Sequence, residues 1–157
     1  MTGFLQTISG WPGAAFLQEH WVAYLAVNAA HILGIGLLLG AILPLDLLLL
    51  RSTGRRDLTS LVPFLVRAAA TGTALAVATG LWLFSVKPLE YAENPAFLFK
   101  IALLVLAICN IALLHRGEHV EAALHSGQPS VRVRILAATS AILWLSVLVA
   151  GRWIGFV

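Results

Sequence analysis

Residues 21–50 read WVAYLAVNAAHILGIGLLLGAILPLDLLLL, an apolar run in which Asn28, His31 and Asp46 are the only amide or titratable side chains besides Tyr24. As a helix this run extends roughly 45 Å, more than the hydrocarbon thickness of about 30 Å. It therefore crosses a bilayer and protrudes or tilts, and Pro44 predicts a kink near its far end. Three more stretches, Leu65–Val86, Phe97–Leu114 and Val133–Ile154, are each long enough to cross as helices. The 157 residues are 60% hydrophobic and 11% charged, against about 25% charged in a soluble domain. The connections are too short to fold alone. The expected fold is all-α: an integral membrane four-helix bundle, one domain over residues 1–157, with the lipid bilayer as its surroundings.

Lys and Arg are distributed unevenly. Arg51, Arg55, Arg56, Arg67, Arg116, Arg132 and Arg134 fall on one side; Lys87, Lys100 and Arg152 fall on the other. The positive-inside rule puts the first group in the cytoplasm, so the chain is N-out/C-out. That suits a multi-pass protein of the bacterial inner membrane. Trp11, Trp21, Trp82 and Trp153 then form an outer interfacial belt. The basic pI of about 9.6 reflects this topology and implies no nucleic acid. The first ten residues lack the basic region of a signal peptide. Phe4, Leu5 and Ile8 share one helical face, so Thr2–Ser9 reads as a short N-terminal interfacial helix, and Trp11-Pro12-Gly13 as a turn.

The second and fourth spans carry no central titratable side chain, so any chemistry comes from the first and third. Cys109 is the single cysteine and Met1 the single methionine. This excludes an intrachain disulfide and leaves copper transport without soft ligands; Cys109 is expected to be a buried, inert thiol. Asp46 and Arg67 lie at similar depth and are expected to pair, fixing the packing. Gly36 and Gly40 form a small-xxx-small pair suited to close helix approach. Ala-Thr-Gly recurs at 70–72 and 78–80, again suiting a tight interface, with the threonines bonding back to their own helix. Asn94-Pro95 opens the third span, and Asn110 within it needs a buried partner. His115, Glu118 and His119 superficially form a metal-like group, but on a connection best read as solvated surface.

His31 is the costly residue. An ionisable side chain inside a membrane helix is a functional-site hypothesis by default. A b-type haem needs an axial imidazole, an apolar slot and cations for its propionates. His31 supplies the imidazole and is the candidate metal ligand. Asn28 and Gly34 lie on its face, Gly34 either admitting a flat macrocycle or packing against a helix. Lys100 and Arg152 are cations on the same side. A second histidine is lacking: His20 is roughly 16 Å away along the axis, and His115 lies near the opposite surface. An open iron, a non-histidine ligand such as Lys100, or a ligand from a neighbouring subunit remain.

The ordered set His31-Ile-Leu-Gly-Ile-Gly, Gly40, Pro44-Leu-Asp46-Leu, Thr79-Gly80-Leu, Phe84, Asn94-Pro-Ala-Phe97-Leu-Phe-Lys100, Asn110 and His115 resembles a group of short bacterial four-helix membrane proteins of unknown function. The resemblance covers almost the whole chain. More loosely, the chain is similar to the copper-resistance D membrane proteins and to bacterial haem-binding protoporphyrinogen oxidases. Those oxidases place a histidine on the first helix and a lysine at the start of the third. By that resemblance His31 is a haem ligand and Lys100 a supporting or catalytic cation. The oxidases' extended basic pattern in the first helix and following loop is absent here.

The leading expectation is a small b-type cytochrome-like protein with haem b on His31, transferring electrons as a homodimer or within a larger respiratory or redox complex. No catalytic residue is assigned. The alternative is a cofactor-free structural or assembly subunit, in which His31 bonds Asn28 or a facing carbonyl.

Overall fold

The computed structural model describes residues 2–51, 55–116 and 119–156; the side chains of Thr2, Phe4, Arg55, Arg56, Asp57, His115 and His119 lie outside that description. All regular structure among the described residues is helical. In chain order the helices are α1 (Thr2–Ser9), α2 (Pro12–Glu19), α3 (Trp21–Leu50), α4 (Arg55–Val86), α5 (Pro88–Glu93), α6 (Pro95–His115), α7 (His119–Ser126) and α8 (Val131–Trp153), followed by a 3-10 turn (Ile154–Phe156). Four segments are long and apolar enough to cross a membrane: Trp21–Leu50, Leu58–Val86, Pro95–Leu114 and Val131–Phe156. Hydrocarbon offers the backbone no hydrogen bonds, so runs of this length satisfy their amides internally as helices.

The second long helix begins ten residues before the apolar stretch read from the sequence. Thr59, Ser60 and Pro63 dilute the local hydropathy, yet Leu58, Val62 and Ala69 are buried on one face. That face docks on the end of α3. Proline residues inside α3 (Pro44) and α4 (Pro63) do not end either helix. Helix starts follow local chemistry. Asn94 Oδ1 accepts the Phe97 amide at 3.1 Å with Pro95 at the first position, and Ser130 Oγ accepts the Val133 amide at 3.4 Å.

Helix α3 is central with α8: α3 packs along both α4 and α8, and α6 packs along α8. Among the described residues α4 and α6 make no extended contact. They are joined at one end by stacked Phe84 and Phe97 (5.5 Å between centroids) with Tyr91 beside both, and at the other by α7, which touches each. The hydrophobic core occupies the arginine-rich half. On α3 it comprises Leu38, Ala41, Ile42, Leu45 and Leu49, spaced as one helical face. No α3 residue from 21 to 33 is buried. The half holding the termini is thus the less filled one.

Backbones come closest where α3 meets α4. A Cβ on Gly34 would stand 2.7 Å from the Ala76 amide nitrogen, and one on Gly72 would run into the Leu38 amide. Gly36 and Gly40 meet nothing within 4 Å, so the close approach uses Gly34 and Gly72 instead of the small-xxx-small pair. Thr71 and Thr79 bond back to the Arg67 and Leu75 carbonyls at 2.9 and 2.6 Å. Two of the expected belt tryptophans act as fasteners: Trp11 Nε1 donates to Ser85 Oγ at 3.0 Å, and Trp82 Nε1 to the Gly13 carbonyl at 2.9 Å. Both tie the start of α2 to α4.

Candidate functional site

His31 projects from α3 against α4. Its Nδ1 lies 3.1 Å from Thr79 Oγ1. The direction of that bond follows from the threonine. Thr79 Oγ1 is 2.6 Å from the Leu75 carbonyl, which can only accept, so the single hydroxyl proton goes there. Thr79 therefore accepts from His31, whose proton sits on Nδ1 and whose lone pair sits on Nε2. The Ala76 carbonyl, one turn away on α4, also bonds the ring. Gly80 makes the contact feasible: a Cβ there would come within 2.9 Å of His31 Cε1. The second Ala-Thr-Gly thus supplies both the acceptor and the space for the ring.

Lys100 extends from α6 onto α8, where its Nζ and Cε pass 3.5 Å from the position of a Cβ on Gly151. Its charge reaches the His31 ring, and both side chains are partly buried. The other candidate residues stand apart. Gly34 is filled against the α4 backbone, Asn28 is exposed, and Arg152 is exposed with its guanidinium 4.8 Å from the Phe156 ring centroid. His20 stacks on Phe16 and bonds its carbonyl at the head of α3. The His115, Glu118 and His119 grouping lies outside the described residues. Among the described ones, no cluster of three or more His, Cys, Asp or Glu side chains forms.

The residues fit one axial imidazole. The Nδ1–H of His31 is taken up by a fixed acceptor, which is how a ligating histidine is oriented, and Nε2 carries the lone pair that an iron needs. The charge of a partly buried cation, Lys100, reaches the ring. No second imidazole of the described residues joins them. A groove of about 690 Å³ lined by Ile8, Trp11, Leu81, Trp82, Phe84 and Ser85 includes neither His31 nor Lys100.

Deeper in the arginine-rich half, the structure replaces an expected ion pair. Arg67 is exposed, whereas Asp46 is 1% exposed and hydrogen-bonds Ser140 of α8. Depth along a helix was legible in the sequence, but the direction each side chain faces was not. Asn110 does find a buried partner, donating to the Leu136 carbonyl of α8 at 3.0 Å. Cys109 is exposed on the outer surface of α6, not buried. Outside the spans, Lys87 Nζ pairs with Glu90 Oε2 at 3.0 Å, which holds its ammonium above the ordinary lysine range.

Comparison with protein-family models, with curated proteins and with solved structures finds no match for this chain.

Proposed function

We propose that the protein is a small b-type cytochrome-like subunit that binds haem through His31 Nε2. The observation that carries this reading is the His31–Thr79–Leu75 relay, which assigns the imidazole proton to Nδ1. Haem would supply a one-electron redox centre. His31 would hold the iron, Thr79 would keep the ring from rotating, and Lys100 would offer a cation to a propionate. The sparse packing of α3 before Gly34 supports the same placement. The described residues offer one imidazole here, so any further protein ligand would come from a second copy or a larger redox complex. The arginine-rich end faces the cytoplasm of a bacterial inner membrane, both termini face outward, and α1 lies in the interface.

Absorbance of protein purified from haem-replete cells tests the reading. A Soret band that shifts on reduction and disappears in His31→Ala is expected. A stable, colourless preparation overturns it.

A cofactor-free assembly subunit is the second reading. It is favoured by Gly34, whose missing Cβ is used by the α4 backbone and not by a ligand slot. The colourless outcome selects it.

A further inference from the structure

Asp46 and Trp144 are two of the most enclosed polar side chains in the described structure, 1% and 3% exposed. They face each other's neighbourhood across α3 and α8. Ser140, which bonds Asp46, is one helical turn from Trp144 on the same face of α8. Neither side chain is fully satisfied among the described residues: Asp46 Oδ2 and Trp144 Nε1 have no hydrogen-bond partner there. The Ser140 bond therefore falls to Oδ1. Around them are Leu45, Leu49 and Ala137, all buried. The described cations closest along the chain are Arg51, five residues after Asp46 at the end of α3, and Arg134, six residues before Ser140 on α8; Arg67 on α4 is exposed. Among the described residues no cation acts on the carboxyl, on which only burial and the Ser140 hydroxyl bear. Helix α6 brings Asn110, whose amide is committed to Leu136. Helix α7 carries Glu121 and His125, neither of which acts on it.

A carboxylate needs its charge shared by cations or several donors, and in a membrane interior water does not provide them. One hydroxyl is not enough. A neutral carboxylic acid is different. Its O–H can donate to Ser140 Oγ, whose own proton can go back to the helix carbonyl a turn earlier. Only a carbonyl oxygen then lacks a partner, in place of half an ionic charge.

We propose that Asp46 is an intramembrane proton-binding site, a neutral carboxylic acid at neutral pH held by Ser140. The ligand is a proton and the site is the α3–α8 contact; the haem reading is not required for it. A membrane carboxyl that keeps its proton while buried is suited to take up or release it when helix packing changes. This is the class of side chain that proton relays use.

Infrared spectroscopy of the full chain in lipid bilayers reads the proton directly. Expected is a protonated-carboxyl carbonyl band at neutral pH that shifts on deuteration, is lost in Asp46→Asn and moves to higher frequency in Ser140→Ala. Asp46→Asn preserves size and hydrogen bonding, and circular dichroism of the same samples checks that the helices form. Ser140→Ala reports independently should the asparagine variant misfold. Absence of such a band in the natural sequence, or its persistence in a folded Asp46→Asn, overturns the proposal.

Discussion

Thr79 Oγ1 stands 3.1 Å from His31 Nδ1 and gives its own proton to the Leu75 carbonyl, so the hydroxyl accepts from a membrane-embedded imidazole and orients it together with the Ala76 carbonyl. This relay joins α3 to α4 in the layer where the core is thinnest. Thr79→Val keeps the shape and removes the acceptor. If His31 ligates a haem iron, loss of such an orienting partner lowers affinity by about 10- to 100-fold. Haem titration of the variant should show that drop, and Thr79→Ser should restore most of the affinity. Equal affinity in Thr79→Val would mean that the relay does not orient a ligand.

The α3–α4 crossing should separate four glycines into two pairs. Gly34 and Gly72 face backbone atoms, which cannot move aside as a flexible side chain can. Gly34→Ala and Gly72→Ala should each destabilise by about 1–3 kcal/mol, the range for forcing extra methyl groups into a packed site. Gly36→Ala and Gly40→Ala point into open space and should stay within about 0.5 kcal/mol, or gain slightly through helix propensity. Unfolding in mixed detergent micelles measures all four. A loss in Gly36→Ala as large as that in Gly72→Ala would indicate a contact with a second chain.

Asn110 tests how much a buried amide contributes between membrane helices. Its partner, the Leu136 carbonyl, also accepts the Ser140 amide in the regular helical pattern. Removing Asn110 therefore orphans nothing on α8. Asn110→Leu should cost about 0.6 kcal/mol and less than about 2 kcal/mol, as for interhelical hydrogen bonds in other membrane proteins. The same unfolding assay checks it. A larger loss would mean that the amide holds more than one carbonyl.

The four spans were legible because a bilayer imposes length and hydropathy together. The shorter elements were not. The sequence reads Trp11-Pro12-Gly13 as a turn, yet Pro12 and Gly13 open the helix Pro12–Glu19, since Pro12 starts a helix as readily as it closes a turn. His119–Ser126 has the composition of a solvated connection, and its buried Ala123 gives no signal without the helices it touches. At the site, His31 stood out because its burial is costly. Thr79 did not, because every threonine in a membrane helix can bond its own backbone, and Thr71 does only that. The Ala-Thr-Gly repeat held the information, but nothing in one sequence tells which copy faces the histidine. Asp46 was matched to Arg67 by charge and depth, and azimuth decided for Ser140.

Tyr91 gives a pH signature at the end of the bundle that holds the termini. It packs between Phe84 and Phe97, and burial is the main cause holding its phenol above the ordinary tyrosine range. The nearby Tyr24 and Glu90 push the same way, and Lys87 opposes them. The folded state thus keeps the Tyr91 proton more tightly than the unfolded chain, whose tyrosines titrate near about 10. The corresponding stability is complete below about pH 10 and is lost as pH rises through the higher folded value. Lys87 adds a loss of the same sign, but it is exposed, and Tyr91→Phe leaves it in place. Phenolate absorbance should show Tyr91 ionising above free tyrosine, with Tyr24→Phe isolating its signal. Unfolding followed over the same alkaline range should be less pH-dependent in Tyr91→Phe than in the natural chain. Ionisation of Tyr91 at or below the free value would show that the Phe84–Tyr91–Phe97 cluster opens in the bilayer, and with it the joint between α4 and α6.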